Sequence, residues 1–167
     1  EAFAAREPLM LEGNGTKRWI AATCPAIVAY VERYHPALVD SLAPLVSPMT
    51  ATVRVLRRLY GPGLRTVFIG PCIAKKYEAA STLLSDEVAA ALTFAELRRL
   101  SARRGIRVEA VAAGDFDPPH AGLGAIFPVS RGLLQAAKIP EDLTLGQVVV
   151  ADGRDDFVQA IREFESG

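Results

Sequence analysis

Two cysteines, Cys24 and Cys72, are the thiols of this 167-residue chain, and each adjoins a proline, in "TCPA" and "GPCI". Each follows an apolar run and stands at or just before a predicted helix start, Cys24 after "WIAAT" and Cys72 after "VFIG". Free backbone amides and the helix dipole at such positions favour a thiolate over a thiol. Lys75 and Lys76 follow Cys72 within one helical turn and add positive charge. A thiolate so placed serves as a metal ligand, a nucleophile or an oxidation sensor. A pair of buried cysteines acting as small hydrophobes is the plain alternative. Position alone leaves all of these open.

The elements that must place the two thiols alternate between strand and helix. "RWIAAT" (Arg18 to Thr23), "RTVFIG" (Arg65 to Gly70), "EVAAALT" (Glu87 to Thr93) and "QVVVADG" (Gln147 to Gly153) read as strands. Pro25 opens a helix with Ile27, Val28, Val31 and Tyr34 at helical spacing. Ser47 is the predicted N-cap of a second helix, with Pro48 at its first position, Met49, Val53, Leu56 and Tyr60 on one face, and Gly61 at its end. Thr93 and Glu96 form a capping box before "FAELRRLSARRG". "DFDPPHAGLG" is a loop, "PVSRGLLQAAKIP" is helical, and "RDDFVQAIREFE" is a closing helix. Nearly uniform apolar strands between helices define an α/β fold, a parallel sheet flanked by helices in three αβα layers and covered on both faces. Ligands of such sheets collect at the carboxyl ends of the strands, where both cysteines fall. Residues 1–167 read as one domain, with 1–16 irregular or a partial helix.

Composition narrows the function. Nineteen basic and nineteen acidic residues give a net charge of zero, which offers nothing to attract a nucleic acid or a membrane surface. No apolar run reaches the roughly 18 residues that span a bilayer. No CxxC pair or Cys/His cluster is present, so a self-contained zinc site is not expected. His35 and His120 lie beside prolines and are expected to be exposed. The sequence opens at Glu1 without methionine or a signal pattern, and it reads as part of a longer multidomain, cytoplasmic protein with reduced thiols. Arginines in "RVLRRLY" and "ELRRLSARRG" are expected on solvated helix faces, and "DGRDD" as a loop and helix cap.

"ATCPAIVAYVERYHPAL", "VSPM", "VFIGPCIAKKYEA" and "GAIFPVSRGLLQAA", in that order, resemble the signature regions of the iron-only hydrogenase catalytic domain. That family typically has a Cys-Cys-Pro element, a Ser-Pro-Met or Ser-Pro-Gln element, a Pro-Cys-x-x-Lys-Lys-x-Glu element and a Gly/Phe-rich segment. The resemblance covers most of Trp19 to Ala137, and the Pro-Cys-x-x-Lys-Lys-x-Glu element is its most specific part. It implies that Cys24 and Cys72 are two of four thiolates holding a four-iron four-sulfur cluster. It also implies that Lys75 takes the place of a lysine donating to a cyanide of the attached two-iron centre. Ser47, Pro48, Met49 and Phe127 would line the same cavity. Lysines and helix-start amides beside an anionic cluster would offset its buried charge.

The departures bear on activity. Thr23 replaces the first cysteine of the Cys-Cys-Pro element, by the resemblance the thiol that relays protons in active members. A hydroxyl does not trade protons readily at neutral pH, whereas a thiol with a pKa near about 8.5 does. Gly70 stands where methionine is usual and removes bulk from the cavity wall; Pro128 and Arg131 stand where glycine is common. The wording further resembles hydrogenase-related domains of bacterial sensory proteins, which are fused to ferredoxin-like, PAS or phosphatase modules. The expected function is therefore a non-catalytic iron–sulfur module for redox or hydrogen sensing. An iron-only hydrogenase is the alternative, with an iron–sulfur assembly factor behind it. By the same resemblance the other two cluster cysteines lie beyond Gly167. The 167 residues alone are expected to hold a cluster weakly or not at all, with the two-iron centre in doubt.

Overall fold

The computed structural model describes residues 17–81, 87–138 and 148–167. The expectation for 1–16 lies outside the described residues. The described chain divides into two compact units, one spanning Arg18–Gly114 and the other Asp115–Gly167.

The first unit carries most of the regular structure. Helix α1 (Pro25–Tyr34) has Pro25 in its first turn and buries Val31 completely. A 3-10 segment, Pro36–Ser41, folds back against it and buries Leu38. Helix α2 (Pro48–Tyr60) starts as its sequence predicts. Ser47 Oγ accepts from the Thr50 amide at 3.4 Å, Pro48 sits at the first turn, and Gly61, at φ +100°, ends it in a conformation that favours glycine. Strand β1 (Val67–Ile69), helix α3 (Ala74–Ala79) and strand β2 (Ala90–Leu92) form a βαβ unit. The strands pair in parallel with Val67 opposite Ala90 and Ile69 opposite Leu92. Helix α4 (Phe94–Arg103) follows at once, opened by the Thr93–Glu96 capping box. Met49, Val53 and Val88 form the core under β1, with Phe68 and Ala79 packed against them.

Among the described residues the sheet is narrower than the sequence suggests. Arg18 to Thr23 supplies one isolated parallel bridge, Ile20 to Leu42, in place of a strand. Val148 to Val150 is not a strand, and Val149 is exposed. Apolar composition alone does not make a strand; it needs a neighbour at the right register, and the described residues give Val148 to Val150 none. Coverage of both faces also fails at β1. Phe68 turns into the core, whereas Val67 and Ile69 are 51% and 42% exposed. His120 is exposed, but His35 is half-buried, its ring 5.4 Å from that of Tyr30.

In the second unit, helix α5 (Gly132–Ala137) packs on a 3-10 turn, Gly122–Ile126, and helix α6 (Arg154–Ser166) buries Ile161. The helix expected over "PVSRGLLQAAKIP" is therefore shorter than its apolar pattern. Arg131 precedes it at φ +60°, a left-handed conformation that glycine adopts more readily than a residue with a side chain. A Cβ at Gly132 would run into the carbonyl oxygen of Ile126, so this turn admits no larger residue without shifting backbone. "DGRDD" caps α6: Gly153 is the N-cap, Asp155 and Asp156 lie in the first turn, and Asp152 accepts from Ser130 Oγ at 2.6 Å.

Candidate metal centre

Both cysteines stand just before a helix, Cys24 after a turn and Cys72 after β1. Cys24 is the N-cap of α1; its carbonyl accepts from the amides of Ile27 and Val28, both at 3.1 Å, while its side chain caps nothing. Cys72 lies between the end of β1 and the start of α3, and its carbonyl accepts from the Lys75 amide at 3.3 Å. Neither is in a disulfide; Cys24 is half-buried and Cys72 exposed. Helices α1 and α3 pack against each other, so the two elements that the cysteines open are neighbours despite their separation in sequence. Thr23, half-buried, occupies the turn immediately before Cys24.

Lys75 does not project freely. Its Nζ donates to Glu78 Oε2 at 2.7 Å, and the two side chains are only 12% and 14% exposed. Glu78 Oε1 accepts from the hydroxyl of Thr50, a residue 1% exposed on α2. Lys76 faces elsewhere, donating to the Ala91 carbonyl at 3.0 Å and to Glu96 at 2.9 Å. The Lys76 ammonium, then the amide and hydroxyl of Thr93, hold the Glu96 carboxyl down at about 2. Arg54 forks onto Glu87 through Nε and a terminal nitrogen, at 2.9 and 3.0 Å. That hydrogen-bonded pair raises the Arg54 pKa and lowers that of Glu87.

Ser47 and Met49 are buried, each 5% exposed. Pro48 and Met49 line an open apolar groove of about 260 Å³ with Thr52, Val53, Leu56, Thr66, Val67 and Phe68; the cysteines are not among its lining residues. Phe127 is half-buried beside the 3-10 turn of the second unit, where its amide donates to the Gly124 carbonyl at 3.2 Å. Gly70 does not open a gap in the first unit. The ring of Phe68 lies 2.7 to 2.8 Å from where a Cβ at position 70 would stand, so the ring takes the space a side chain would use.

Glu78 and Thr50 were not legible as site residues. The available signal was the spacing of Lys75 and Glu78, one helical turn apart. Nothing in the sequence connects Thr50 to either.

The sequence pattern of the iron only hydrogenase large subunit, C-terminal domain, matches residues 5–164. The chain belongs to that family. It is 29% identical over 132 residues to the NADP-reducing hydrogenase subunit HndD of Solidesulfovibrio fructosivorans, covering 71% of this chain and 23% of that protein. It is 32% identical over 128 residues to the periplasmic Fe hydrogenase large subunit of Nitratidesulfovibrio vulgaris, covering 68% of this chain and 30% of that one. The chain thus spans less than a third of the length of these two relatives. Among solved structures, an FeFe-hydrogenase studied for stepwise assembly of its H-cluster superposes with a TM-score of 0.60 at 20% identity. That match covers 92% of this chain and 42% of that one. An apo FeFe-hydrogenase variant from Chlamydomonas reinhardtii gives 0.56 at 23% identity, over 81% and 37%. These likenesses establish an α/β hydrogenase-like lobe. Among the described residues, no helix is long and apolar enough to cross a membrane.

Proposed function

We propose that this chain is a hydrogenase-like iron–sulfur module that reports redox state or hydrogen rather than turning hydrogen over. The observation that carries the reading is the placement of Cys24 and Cys72 at the openings of two helices that pack together. Domains of this family bind iron–sulfur clusters, and thiols are the right donors for iron. The donors fit in kind. In number they supply two of the four thiolates of a four-iron four-sulfur cubane, and the described residues hold no cluster of three or more His, Cys, Asp or Glu side chains that would complete it. The other ligands come from outside these residues. The cluster would supply one-electron chemistry. The protein's own residues would hold it through sulfur and set positive charge beside it through Lys75.

Thr23 supports a non-catalytic role, because a hydroxyl replaces the thiol that would pass protons at this position. The relatives' names, which are hydrogenases, favour the second reading, an enzyme exchanging hydrogen with protons. Ferredoxin-like, PAS or phosphatase modules are the proposed partners of the sensing role.

Anaerobic reconstitution with ferrous iron and sulfide tests the site, with iron and sulfide counted in the wild type, Cys24→Ala and Cys72→Ala. Iron uptake is expected to be weak in the wild type and lost in both variants. Uptake indifferent to both cysteines refutes the site. Gas evolution after maturation separates the two roles: none is expected from the wild type, and rapid evolution establishes the enzyme.

A further inference from the structure

The Ser-Pro-Met element and the Pro-Cys-x-x-Lys-Lys-x-Glu element are joined through Thr50, which neither motif includes, and Glu78, the last residue of the second. Thr50, buried in the first turn of α2, donates its hydroxyl to Glu78 Oε1 at 3.0 Å, and the Lys75 ammonium donates to Glu78 Oε2 at 2.7 Å. The Thr50 amide meets Ser47 Oγ at one end of this path, and the Lys75 amide meets the Cys72 carbonyl at the other. A continuous chain of bonds therefore runs from Ser47 through Thr50, Glu78 and Lys75 to Cys72.

An ordinary lysine–glutamate pair one turn apart on a helix surface is mobile, screened by salt and weak. This pair differs in two respects. Little water reaches either side chain, and a fully buried hydroxyl from another helix fixes the carboxylate. A carboxylate has two oxygens; here one is spent on holding position and the other on the ammonium. The ammonium has three donors, so two remain for a further acceptor.

We infer that Glu78, aimed by Thr50, is the positioning residue for Lys75: it fixes the ammonium and partly offsets its charge before any anionic group at the cysteines engages it. The inference rests on the proposed iron–sulfur role only for what the ammonium serves. The arrangement itself exists, and is tested, without a cluster.

The test is solvent exchange of the Lys75 ammonium protons, followed by side-chain nitrogen NMR in the cluster-free 167-residue protein. The wild type is expected to show slow exchange. Glu78→Gln accelerates it about tenfold, as loss of a charge-assisted hydrogen bond requires. Thr50→Val accelerates it about threefold, because the carboxylate remains but loses its aim. Thr50→Ser restores the wild-type rate. A Thr50→Val protein that is less stable yet exchanges Lys75 at the wild-type rate overturns the inference, since Thr50 is then scaffolding alone. Should Thr50→Val not fold, Glu78→Gln decides, and unchanged exchange in that variant overturns it equally. Iron uptake indifferent to both cysteines with this exchange pattern intact removes the iron–sulfur reading and leaves the positioning role standing.

Discussion

Lys75 and Lys76 are neighbours on α3, yet they tie that helix to two regions held by different physics. Lys75 points inward to the α2–α3 junction, where Thr50 and Glu78 meet it with little water. Lys76 points to the junction of β2 and α4, where its side chain is 37% exposed and Glu96 39%. The inner pair resists salt, because buried charges are weakly screened, but breaking it strands a charge. The outer pair is screened, yet it shares its carboxylate with a helix cap, so its worth lies in the cap more than in the charge. One short helix thus holds a rigid inner contact and a tunable outer one.

The comparison breaks most sharply at Glu78. Glu78→Ala leaves the Lys75 ammonium and the Thr50 hydroxyl without their acceptor, and is expected to cost about 3 kcal/mol in urea unfolding. Thr93→Ala removes one half of the outer capping box and is expected to cost about 1 kcal/mol by the same measurement. If the outer substitution proves the more costly, the ranking of the two junctions is wrong.

Acid sharpens the contrast. The folded Glu96 carboxyl sits at about 2, below its ordinary 4.5, so its contribution is fully present above pH 4.5 and is lost as pH falls toward 2. Wild-type stability is expected to fall more steeply over that window than stability of Glu96→Gln, and parallel acid limbs in the two proteins would contradict the assignment. Salt gives the smallest effect. Raising ionic strength to about 1 M is expected to cut the penalty of Lys76→Met by a few tenths of a kcal/mol and to leave that of Glu78→Ala unchanged.

Much of this was legible in the sequence where the physics is local. Ser47 and Pro48, Thr93 and Glu96, and the placement of both cysteines before helices follow from capping rules that reach three or four residues. The family membership came from four short motifs. What could not be read depends on partners far along the chain. Whether Val148 to Val150 pairs, whether Ile20 extends beyond one bridge, and whether Val67 is covered are decided by neighbours rather than composition. Glu78 closes the Pro-Cys-x-x-Lys-Lys-x-Glu element, but its role depends on Thr50, which lies 28 residues away. The missing bulk at Gly70 was read as empty space because the Phe68 rotamer is invisible in the sequence.

That last arrangement binds two positions into a single steric quantity. With the Phe68 ring lying where a position-70 side chain would begin, any larger residue at 70 makes the ring swing aside. Substitutions at 68 and 70 are therefore coupled, and a double-mutant cycle between them is expected to be non-additive.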